Sequence, residues 1–585
     1  MNALLIVIIA IAALVCGYVF YGGWLARQWG VDPNRKTPAV EISDGVDYVP
    51  AKPYVLLGHH FSSIAGAGPI NGPIQAAIFG WVPVVLWVLI GGIFFGAMHD
   101  FGALFASIRH KGQTLSAVVG ANIDDTAKKL FCIFSYLTLL LVVAAFASIV
   151  ANTFVSTAAA PSVANQLTAW ISLLFIVVAV IYGLFTRGRS IPTAVNVLSA
   201  IAIIVVIVAL GSWLGEHVPI MLSYDAWMII IGLYILIASV APVWILLQPR
   251  DYLSSYLLYG MIVLALAAVI IATVAGDAGH LSIPAFTGFS VSKGMVVDGV
   301  VNNSKVAVSG FMFPVLFVTI ACGAISGFHS LVASGTTSKQ LDNEKSAQPI
   351  AYGGMLIECL VAVLSLCAVG FVWGSYMDGS IASPTAVFAS GLSKMFAVLP
   401  AFQGAETTVY SLLILAVSVF CLTSLDTATR LARYMFQELF TPKGQTPDQN
   451  TGVRKAITNP WVATIITIVI GVVLGMTGYQ LVWPLFGAAN QLLAALGLLA
   501  VCAWLGNAGR NNKMFYFPMV FMLLVTLTSL VITIVGKVTA IAAGAVTLGN
   551  VLQLVIGVLL VVLAIVLAIK GARTIFGQKK ATPAA

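Results

Sequence analysis

The residues best suited to chemistry lie within an apolar stretch, between His59 and Pro73. They read His-His-Phe-Ser-Ser-Ile-Ala-Gly-Ala-Gly-Pro-Ile-Asn-Gly-Pro, so imidazoles and hydroxyls are followed by a run rich in glycine and proline. Such a run favours an interrupted helix, broken at Gly66 to Pro73. Because lipid cannot pair the freed backbone groups, the break must line a cavity filled with water or a ligand. In secondary transporters, interrupted helices surround the substrate near the middle of the bilayer, so this segment predicts a transport site.

The break also indicates what the substrate carries. A helix that restarts after the break directs its N–H groups and the positive end of its dipole towards it, which favours a carboxylate there. Side chains beside the break could add hydrogen bonds, and aromatic rings further along the chain could shape an apolar wall. We therefore expect the substrate to be bound by Ser62, Ser63, Gly66, Gly68, Asn71, Trp244, Phe328 and His329.

Ionisable residues inside apolar stretches are costly, so each is a candidate for carrying a coupled ion. A histidine such as His329 can accept a proton near physiological pH. An unpaired Glu358 among aliphatic residues should bind a proton readily. Hydroxyls, together with the carbonyls freed at Ile64 and Ala67, could instead bind a hard cation such as sodium. The candidates for ion coupling are His59, His60, His99, Asp100, Glu358, Ser334, Thr336, Thr337 and Asp426.

Structural roles compete with these assignments. Asp426 and Arg430 are four residues apart, which is the spacing of an ion pair within one helix. Serine and threonine hydroxyls in membrane helices commonly bond to the carbonyl four residues earlier. Asp100 could equally serve helix packing, and Glu406 is expected at the outer interface, where water can hydrate its carboxylate.

A metal centre is the alternative from a different class of protein. The set His59, His60, His99, Asp100 and His329 could in principle gather around a metal ion, since imidazole suits zinc, copper and iron. None of these histidines has the i, i+4 spacing that marks a helical metal site. We therefore predict no resident metal or other cofactor apart from a coupling proton or sodium ion. A membrane metalloprotein and a channel remain the alternatives to transport.

The rest of the sequence must place these residues within a membrane. Hydrophobic residues make up 60% of the 585 positions, charged residues make up 8%, and the mean hydropathy is +1.03. At about 20 residues per crossing, we predict an all-α polytopic membrane protein with about 15 transmembrane helices. The expected spans are about 3–24, 55–78, 81–107, 128–155, 167–186, 191–212, 225–247, 253–276, 310–336, 351–376, 405–433, 461–477, 483–506, 515–536 and 548–570.

The basic residues predict the orientation of this bundle, because Lys and Arg collect in cytoplasmic loops. With the N-terminus outside and the C-terminus inside, all but four of the 28 Lys and Arg residues lie on the inner side. The exceptions are Lys293, Lys305, Lys394 and Lys537. The net charge of +8 therefore reflects membrane insertion and not binding to nucleic acid. The seven cysteines have no paired spacing, so neither a disulfide framework nor a zinc motif is expected.

Long motifs occur in one order along the chain: HHFSSIAGAGPINGP, GAMHDF, LLQPRDYLSSY, ACGAISGFHSLVASGTTSK and SLDTATR. Together they resemble the carbon starvation protein A family over about residues 1–570. The resemblance implies a bacterial inner-membrane transporter of peptides or, in a close sibling group, of pyruvate driven by protons. It also implies an inverted-repeat core with broken helices, similar to the leucine transporter. This core region would cover residues 1–387, followed by a C-terminal five-helix membrane region at 388–585.

We therefore expect a secondary active transporter, and not an enzyme, that imports small peptides or a small carboxylate such as pyruvate by ion symport. The chain has no G-x-x-x-x-G-K-[ST] phosphate loop, so ATP hydrolysis on this polypeptide is not expected. Its partners are the small-molecule substrate and the lipid bilayer. Peptide and pyruvate stay open as substrates, and proton and sodium stay open as coupling ions.

An inverted-repeat core needs two broken helices, five apart and opposite in direction. The seventh predicted helix contains Ala238 to Trp244, with a proline inside, so we expect the second break there. In that frame the ninth predicted helix supplies a wall of hydroxyls that includes Ser330. A rival frame starts the core at the fourth helix, because Leu422 to Thr429 in the eleventh helix looks like the segment that completes a sodium site in related transporters. The fourth helix has no glycine or proline to break it, which favours the first frame.

Overall fold

Long apolar runs form helices, as expected where lipid offers the backbone no hydrogen-bond partners. The computed structural model describes residues 2–577 except 46, 187, 188, 190, 191, 277, 278, 293, 298, 302–307, 382, 443 and 444. Lys293 and Lys305, which the charge pattern places outside, therefore lie outside the described residues. Within the described part of the chain, 11 helices are long and apolar enough to cross a membrane. The prediction of an all-α polytopic protein is confirmed.

Among the residues that the structure describes, the first half of the chain forms ten helices, which we number α1 to α10. A short helical turn at Pro38–Glu41 precedes the second of them and is not numbered. They are α1 (Ala3–Trp29), α2 (Pro53–Ile64), α3 (Gly68–Ala76), α4 (Trp81–Arg109), α5 (Leu115–Asn122), α6 (Asp125–Phe154), α7 (Val163–Thr186), α8 (Thr193–His217), α9 (Tyr224–Val240) and α10 (Leu247–Val274).

A loop region then carries short strands before the helices resume. Strand β1 (Ser290–Val291) pairs antiparallel with β4 (Gly310–Phe311), and β2 (Val296–Val297) pairs antiparallel with β3 (Val300–Val301). The helices after this loop are α11 (Met312–Thr319), α12 (Ala321–Ala324), α13 (Gly327–Gly335), α14 (Glu344–Phe371), α15 (Trp373–Met377), α16 (Pro384–Phe396), α17 (Glu406–Phe440), α18 (Gly452–Ile457), α19 (Pro460–Met476), α20 (Tyr479–Asn507), α21 (Lys513–Ala542) and α22 (Leu548–Gly577).

The glycine- and proline-rich segment breaks its helix, but the break covers only Ala65 to Ala67, and the predicted stretch from Gly68 to Pro73 is helical. Helix α2 ends at Ile64, and Ala65 has φ −74° and ψ 72°, which is not helical. Helix α3 restarts at Gly68 with Pro69 in its first turn, where a missing N–H costs nothing. Every residue from 58 to 80 is buried, so this irregular backbone faces protein and not lipid.

The second break lies in a different helix from the one predicted. Ile325 and Ser326 both have extended backbone angles, with φ −160° and ψ 138° for the first and φ −141° and ψ 127° for the second. They interrupt the path between α12 and α13, which is the ninth predicted helix. That helix was expected to supply only a wall of hydroxyls.

The expected break at Ala238 to Trp244 is wrong, because this segment joins two separate helices. Helix α9 ends at Val240, residues 241–246 are irregular, and α10 begins at Leu247. Pro242 lacks the N–H that a continuing helix would need, which accounts for the end of α9. Arg250 lies in the first turn of α10 rather than in a loop.

The two broken helices pack in one pattern that is used twice. Helix α3 packs against α14, while α13 packs against α4. The short helices α5 and α16 pack against the long helices α6 and α17, which in turn pack against each other. Helices α9 and α19 form a pair, and α10 and α20 contact α2 and α13 respectively. The broken helix α2–α3 therefore corresponds to the broken helix α11–α13, and α4, α6, α9 and α10 correspond in order to α14, α17, α19 and α20.

Helices α7 and α8 explain why the sequence allowed two alternative starting points for the repeated core, the second and the fourth predicted helix. They pack against each other as a hairpin between α6 and α9, and they have no counterpart among the described helices of the second set. When the hairpin is left out of the count, the core begins with the first broken helix and α17 takes the eighth place. The Ser, Thr and Asp segment of α17 thus belongs to the same core as the break at Gly66. The predicted boundary at residue 388 lies inside α16 and stays a prediction.

Candidate transport site

The first break is held by close packing at its glycines. A Cβ built on Gly66 would lie 2.6 Å from the ring of Phe146, and one built on Gly68 would lie 2.5 Å from both the Cβ and the Sγ of Cys322. Contacts this short leave no room for a side chain at either position. The glycines therefore bring the broken backbone against α6 and α12, in addition to easing the break itself.

The second break is held by an asparagine from α20. Oδ1 of Asn490 accepts a hydrogen bond from the backbone N–H of Phe328 at 2.8 Å, and its Nδ2 donates to Oγ of Ser326 at 3.0 Å. The side chain thereby pairs backbone and side-chain groups that the interrupted helix cannot pair itself. Phe328 packs edge-on against Phe146, with ring centroids 6.4 Å apart. Both breaks consequently meet at Phe146.

Buried acids and imidazoles form a chain beside these breaks, which we call the imidazole–acid cluster: His99, Asp100, His329 and Glu358. Asp100 contacts both histidines, with Oδ1 2.8 Å from Nδ1 of His99 and Oδ2 2.9 Å from Nδ1 of His329. Nε2 of His329 lies 3.3 Å from Oε2 of Glu358. All four side chains are fully buried. The cluster joins α4, α13 and α14, and it contains no Lys or Arg.

The cluster is tied directly to the first break. The backbone of Ile64, the last residue of α2, lies against the ring of His329. His60, one turn earlier in α2, has its Nδ1 2.8 Å from Oγ1 of Thr337. A Cβ on Gly497 of α20 would lie 2.5 Å from Nε2 of His99, so this glycine provides the space for the imidazole. Movement of the broken helix would therefore disturb the cluster.

A second buried set, the arginine network, comprises His59, Tyr234, Arg250, Asp251 and Asp426. Nδ1 of His59 lies 2.5 Å from Oδ2 of Asp251, and Nη2 of Arg250 lies 2.8 Å from Oδ1 of Asp251. Nη1 of Arg250 also contacts Oδ2 of Asp426. The hydroxyl of Tyr234 donates to Oδ2 of Asp426 at 2.5 Å and accepts from Nη1 of Arg250 at 2.5 Å. The network joins α2, α9, α10 and α17.

The ion pair that spacing suggested within α17 does not form. Asp426 pairs with Arg250 of α10, while Nη2 of Arg430 donates to the carbonyls of Ala238 and Ala241 at the end of α9. A cation at a helix C-terminus satisfies carbonyls that have no partner within the helix. The neighbouring helices therefore decide the partners of both side chains.

Three hydroxyls of the predicted wall bond to carbonyls three or four residues earlier, whereas the fourth, that of Thr337, contacts His60. Ser330 donates to the carbonyl of Gly327 at 2.7 Å, and Ser334 donates to the carbonyl of Ser330 at 2.7 Å. Thr336 bonds to the carbonyl of Val332 at 3.0 Å. These contacts agree with the structural role that competed with cation binding.

The remaining predicted substrate residues lie at different distances from the breaks. Ser63 of α2 contacts Thr427 of α17 through hydroxyls 3.2 Å apart, and Ser62 donates to the carbonyl of Asp251 at 3.4 Å. Oδ1 of Asn71 accepts a hydrogen bond from Thr385 at 3.4 Å. Trp244 is half-buried in the link between α9 and α10. Ser62 thus contacts Asp251 of the arginine network, and Ser63 contacts α17 next to Asp426 of that network. Trp244, in the link between α9 and α10, lies outside both broken helices.

The metal set suggested by the histidines is not gathered at one point, since His59 belongs to the arginine network and His329 to the imidazole–acid cluster. Among the described residues, a different group could share an ion: Cys322, His329 and Glu358, whose ligand atoms lie within 4.8 Å of one another. Sequence reasoning overlooked Cys322 because no paired spacing marks it.

Other residues of the site were also overlooked. Arg250 and Asp251 stood at the expected end of a helix, where charges are ordinary, so they gave no signal beyond their presence in a family motif. Asn490 did carry a signal, because an Asn-Gln pair interrupts an otherwise apolar run in α20. Polar residues inside apolar helices are costly and point to a partner across the bundle.

Several known proteins are similar in sequence to this chain over most of its length. Residues 2–380 and 373–529 match the family model of the carbon starvation protein CstA. The chain is 32% identical to the peptide transporter CstA of Escherichia coli, over 90% of this chain and 80% of that protein. It is 32% identical to the peptide transporter CstA of Campylobacter jejuni, over 90% of this chain and 79% of that protein. It is also 31% identical to the pyruvate/proton symporter BtsT of E. coli, over 85% and 76% of the respective lengths.

A solved structure shares the fold at low sequence identity. The manganese transporter of Eremococcus coleocola superposes with a TM-score of 0.50 and 13% identity, over 91% of this chain and 99% of that one. This likeness concerns the fold alone. The relatives are transporters and not enzymes, and together with the apolar helices they identify a multi-pass protein of the bacterial inner membrane. The chain belongs to the carbon starvation protein CstA family.

Proposed function

We propose that this protein imports a small carboxylate-bearing nutrient, a short peptide or pyruvate, together with a proton. One observation carries the proposal: a buried cluster of two histidines and two acids lies against both broken helices and contains no fixed cation. The named functions of the relatives, peptide transport and pyruvate/proton symport, support the same reading.

The substrate carboxylate would bind between the breaks. Helix α3 begins at Gly68 and α13 begins at Gly327, so the positive ends of two half-helices converge there. Ser62 and Ser63 in the last turn of α2 and His329 in the first turn of α13 would supply polar contacts, and Phe328 with Phe146 would supply an apolar wall. Asn71 and Trp244 keep their predicted roles as more distant contacts.

The coupled proton would be carried by the imidazole–acid cluster. Asp100 and Glu358 can both be ionised in a buried site only if nearby charge compensates them. The cluster offers only its two imidazoles for that purpose, so its net charge is set by protons. A state in which the cluster is neutral can close around the substrate, and a state that has lost a proton favours opening to water. Binding of the proton and closure of the site are thereby linked.

Contacts at the two ends of the bundle support the predicted orientation. We propose 15 spans, made of the 11 long helices, the shorter α9 and α19, and the two broken helices, with the N-terminus outside. Arg109 and Arg35 both contact Glu344, and Lys570 contacts Asp124, which places predicted inner residues together. At the opposite end, Asn2 pairs with His280 of the predicted outer loop. The two sets of core helices would then be an inverted repeat, with the five-helix region beginning near residue 388.

Labelling from outside checks this orientation. A cysteine introduced at Ala545, which is exposed between α21 and α22, should react with a membrane-impermeant maleimide in intact cells. A cysteine introduced at exposed Asp448, between α17 and α18, should react only after the cells are opened. The reverse pattern would contradict the proposed orientation.

Uptake into proteoliposomes tests the function itself. With an imposed pH gradient, acid outside, labelled pyruvate or a labelled dipeptide should accumulate above its external concentration, and an ionophore that collapses the gradient should abolish accumulation. Equilibration without accumulation would indicate a channel. Accumulation that requires a sodium gradient and ignores the pH gradient would overturn proton coupling.

A substitution at the first break provides an independent test. Gly68→Val places a branched side chain against Cys322, and uptake should be abolished while membrane insertion persists. Gly260→Val is the matched control, because a Cβ at Gly260 meets no atom within 4 Å. Normal transport by Gly68→Val would remove the argument from the broken helix.

A further inference from the structure

We propose that Cys322, His329 and Glu358 form a binding site for a transition-metal dication of the zinc class, and that an ion bound there stops transport. The inference rests on the proposed function for two points, which are that the buried cluster opens to water during the transport cycle and that it binds the coupled proton. The ion is an inhibitor that competes with the coupled proton and has no part in the transport of the nutrient.

The ligand atoms already stand close together. Sγ of Cys322, a ring nitrogen of His329 and a carboxylate oxygen of Glu358 lie within 4.8 Å of one another, and all three residues are buried. Nε2 of His329 and Oε2 of Glu358 lie 3.3 Å apart, but among the described residues neither Glu358 oxygen nor this Nε2 makes a hydrogen bond. Buried polar atoms without partners are costly, and a shared cation would satisfy all of them at once.

The surrounding residues prepare the histidine for this role. Oδ2 of Asp100 lies 2.9 Å from Nδ1 of His329, so the carboxylate can hold that nitrogen protonated and leave Nε2 as a free acceptor. A carboxylate behind a ligating histidine is the usual arrangement at zinc sites, where it fixes the tautomer and the ring orientation. Asp100 would therefore orient the ligand without touching the ion.

The donor set determines which ion is bound. A thiolate, an imidazole and a carboxylate suit zinc and related transition metals, whereas magnesium and calcium prefer oxygen ligands alone. Three protein ligands leave a fourth position for water. Binding releases the thiol proton of Cys322 and any proton held by Glu358, so inhibition should weaken as the pH falls.

The position of the site explains why occupancy would block the cycle. Cys322 lies in α12, His329 in α13 and Glu358 in α14, so the ligands come from both sides of the second break. Cys322 also packs against Gly68 at the first break. An ion at this point would fasten together segments that must separate when the site opens, and it would occupy the groups that bind the coupled proton.

Inhibition of uptake by zinc, compared with magnesium, tests the proposal. Micromolar ZnCl2 should inhibit proton-driven uptake by the wild type, while MgCl2 at the same concentration should not. Cys322→Ser removes one ligand and leaves the residues of proton coupling in place, so it should retain basal uptake and require at least about tenfold more zinc for half-inhibition. Cys367→Ser is the matched control, because Cys367 is also a buried cysteine, in α14, but is not one of the three proposed ligands.

Calorimetric titration of the purified protein with ZnCl2 separates this proposal from the proposed function. One ion should bind the wild type and Cys367→Ser, with affinity reduced at least about tenfold in Cys322→Ser, whether or not uptake is driven by protons. Absence of zinc binding to the wild type would overturn the site. Equal binding and inhibition in Cys322→Ser would also overturn it, because the ion would then lie elsewhere.

Discussion

The imidazole–acid cluster and the arginine network both contact helix α2, but they compensate buried charge in opposite ways. His59 of α2 contacts Asp251 of the arginine network, and the backbone of Ile64 at the end of α2 lies against His329 of the imidazole–acid cluster. The arginine network contains a permanent guanidinium between two carboxylates. The imidazole–acid cluster has only imidazoles beside its carboxylates.

This difference separates a structural role from a titrating one. Arginine stays protonated at any physiological pH, so Arg250 offers Asp251 and Asp426 a permanent positive charge throughout the cycle. Asp100 and Glu358 contact only imidazoles, which is why we assign the coupled proton to their cluster. Two buried polar sets of similar composition therefore have different expected functions, and substitutions in each should give different results.

Removal of the guanidinium should have the largest effect. Arg250→Met keeps an apolar chain of similar length but leaves two buried carboxylates without compensation, which should lower the free energy of unfolding by about 3–5 kcal/mol. The midpoint of thermal unfolding in detergent measures this. Arg35→Met is the control, since Arg35 is 54% exposed and its pair with Glu344 spans 3.9 Å, so little change is expected. Equal stability of the two variants would refute the structural role of the arginine network.

A smaller change within the same network should have an intermediate effect. Tyr234→Phe removes the hydroxyl that donates to Asp426 and accepts from Arg250, and hydrogen bonds to charged groups contribute about 2 kcal/mol each. We expect a total loss of about 2 kcal/mol of unfolding free energy, because Arg250 and Asp426 still contact each other directly, and we expect proton-driven accumulation to be retained. Loss of coupling at unchanged stability would show that the arginine network itself carries protons.

A substitution in the imidazole–acid cluster should instead abolish proton coupling and change the stability little. Glu358→Gln removes a titrating group, so the roughly tenfold accumulation that a pH difference of about one unit supports, equivalent to about 1.4 kcal/mol, should disappear. Exchange of labelled for unlabelled substrate should continue, and thermal stability should fall little. Full accumulation by Glu358→Gln would remove this residue from the coupling mechanism.

A substitution of Asp47, which lies outside the membrane-spanning helices, should have the smallest effect on the free energy of unfolding. Burial would raise the pKa of Asp47, but the nearby charges of Lys339, Arg430 and Arg433 and a hydrogen bond from Tyr434 hold that pKa below its ordinary value. A carboxylate with a lowered pKa contributes stability above its unfolded pKa, about 3.9, and loses it as the pH falls through the lower folded value. Asp47→Asn should therefore cost under about 1 kcal/mol at neutral pH.

The pH dependence of that cost distinguishes it from a simple packing defect. Thermal unfolding of the wild type and of Asp47→Asn should differ by a constant amount near neutral pH and converge below about pH 4. A difference that persists unchanged at low pH would show that the ionised carboxylate is not its source.

Local rules account for what could be predicted. The break near Gly66 followed from glycine and proline within an apolar run, and α2 does end at Ile64. Glu358 and Asp100 stood out because ionisable residues in such runs are rare. Partners could not be predicted in the same way. Asp426 was assigned a partner on its own helix, but the neighbouring α10 supplies Arg250 instead.

By itself, the sequence determined that the chain is a bundle of membrane helices, that its second crossing is broken, and that a few ionisable residues are buried within it. These features depend on hydropathy and on backbone chemistry within a few residues, which every membrane segment must satisfy locally. Only the tertiary structure decided that Ile325 and Ser326 form the second break and that α7 and α8 lie outside the repeated core. It also decided that Arg250 contacts the acids of one buried polar set and not those of the other. Those features depend on which helix faces meet, and contacts between residues far apart in the chain are set by packing.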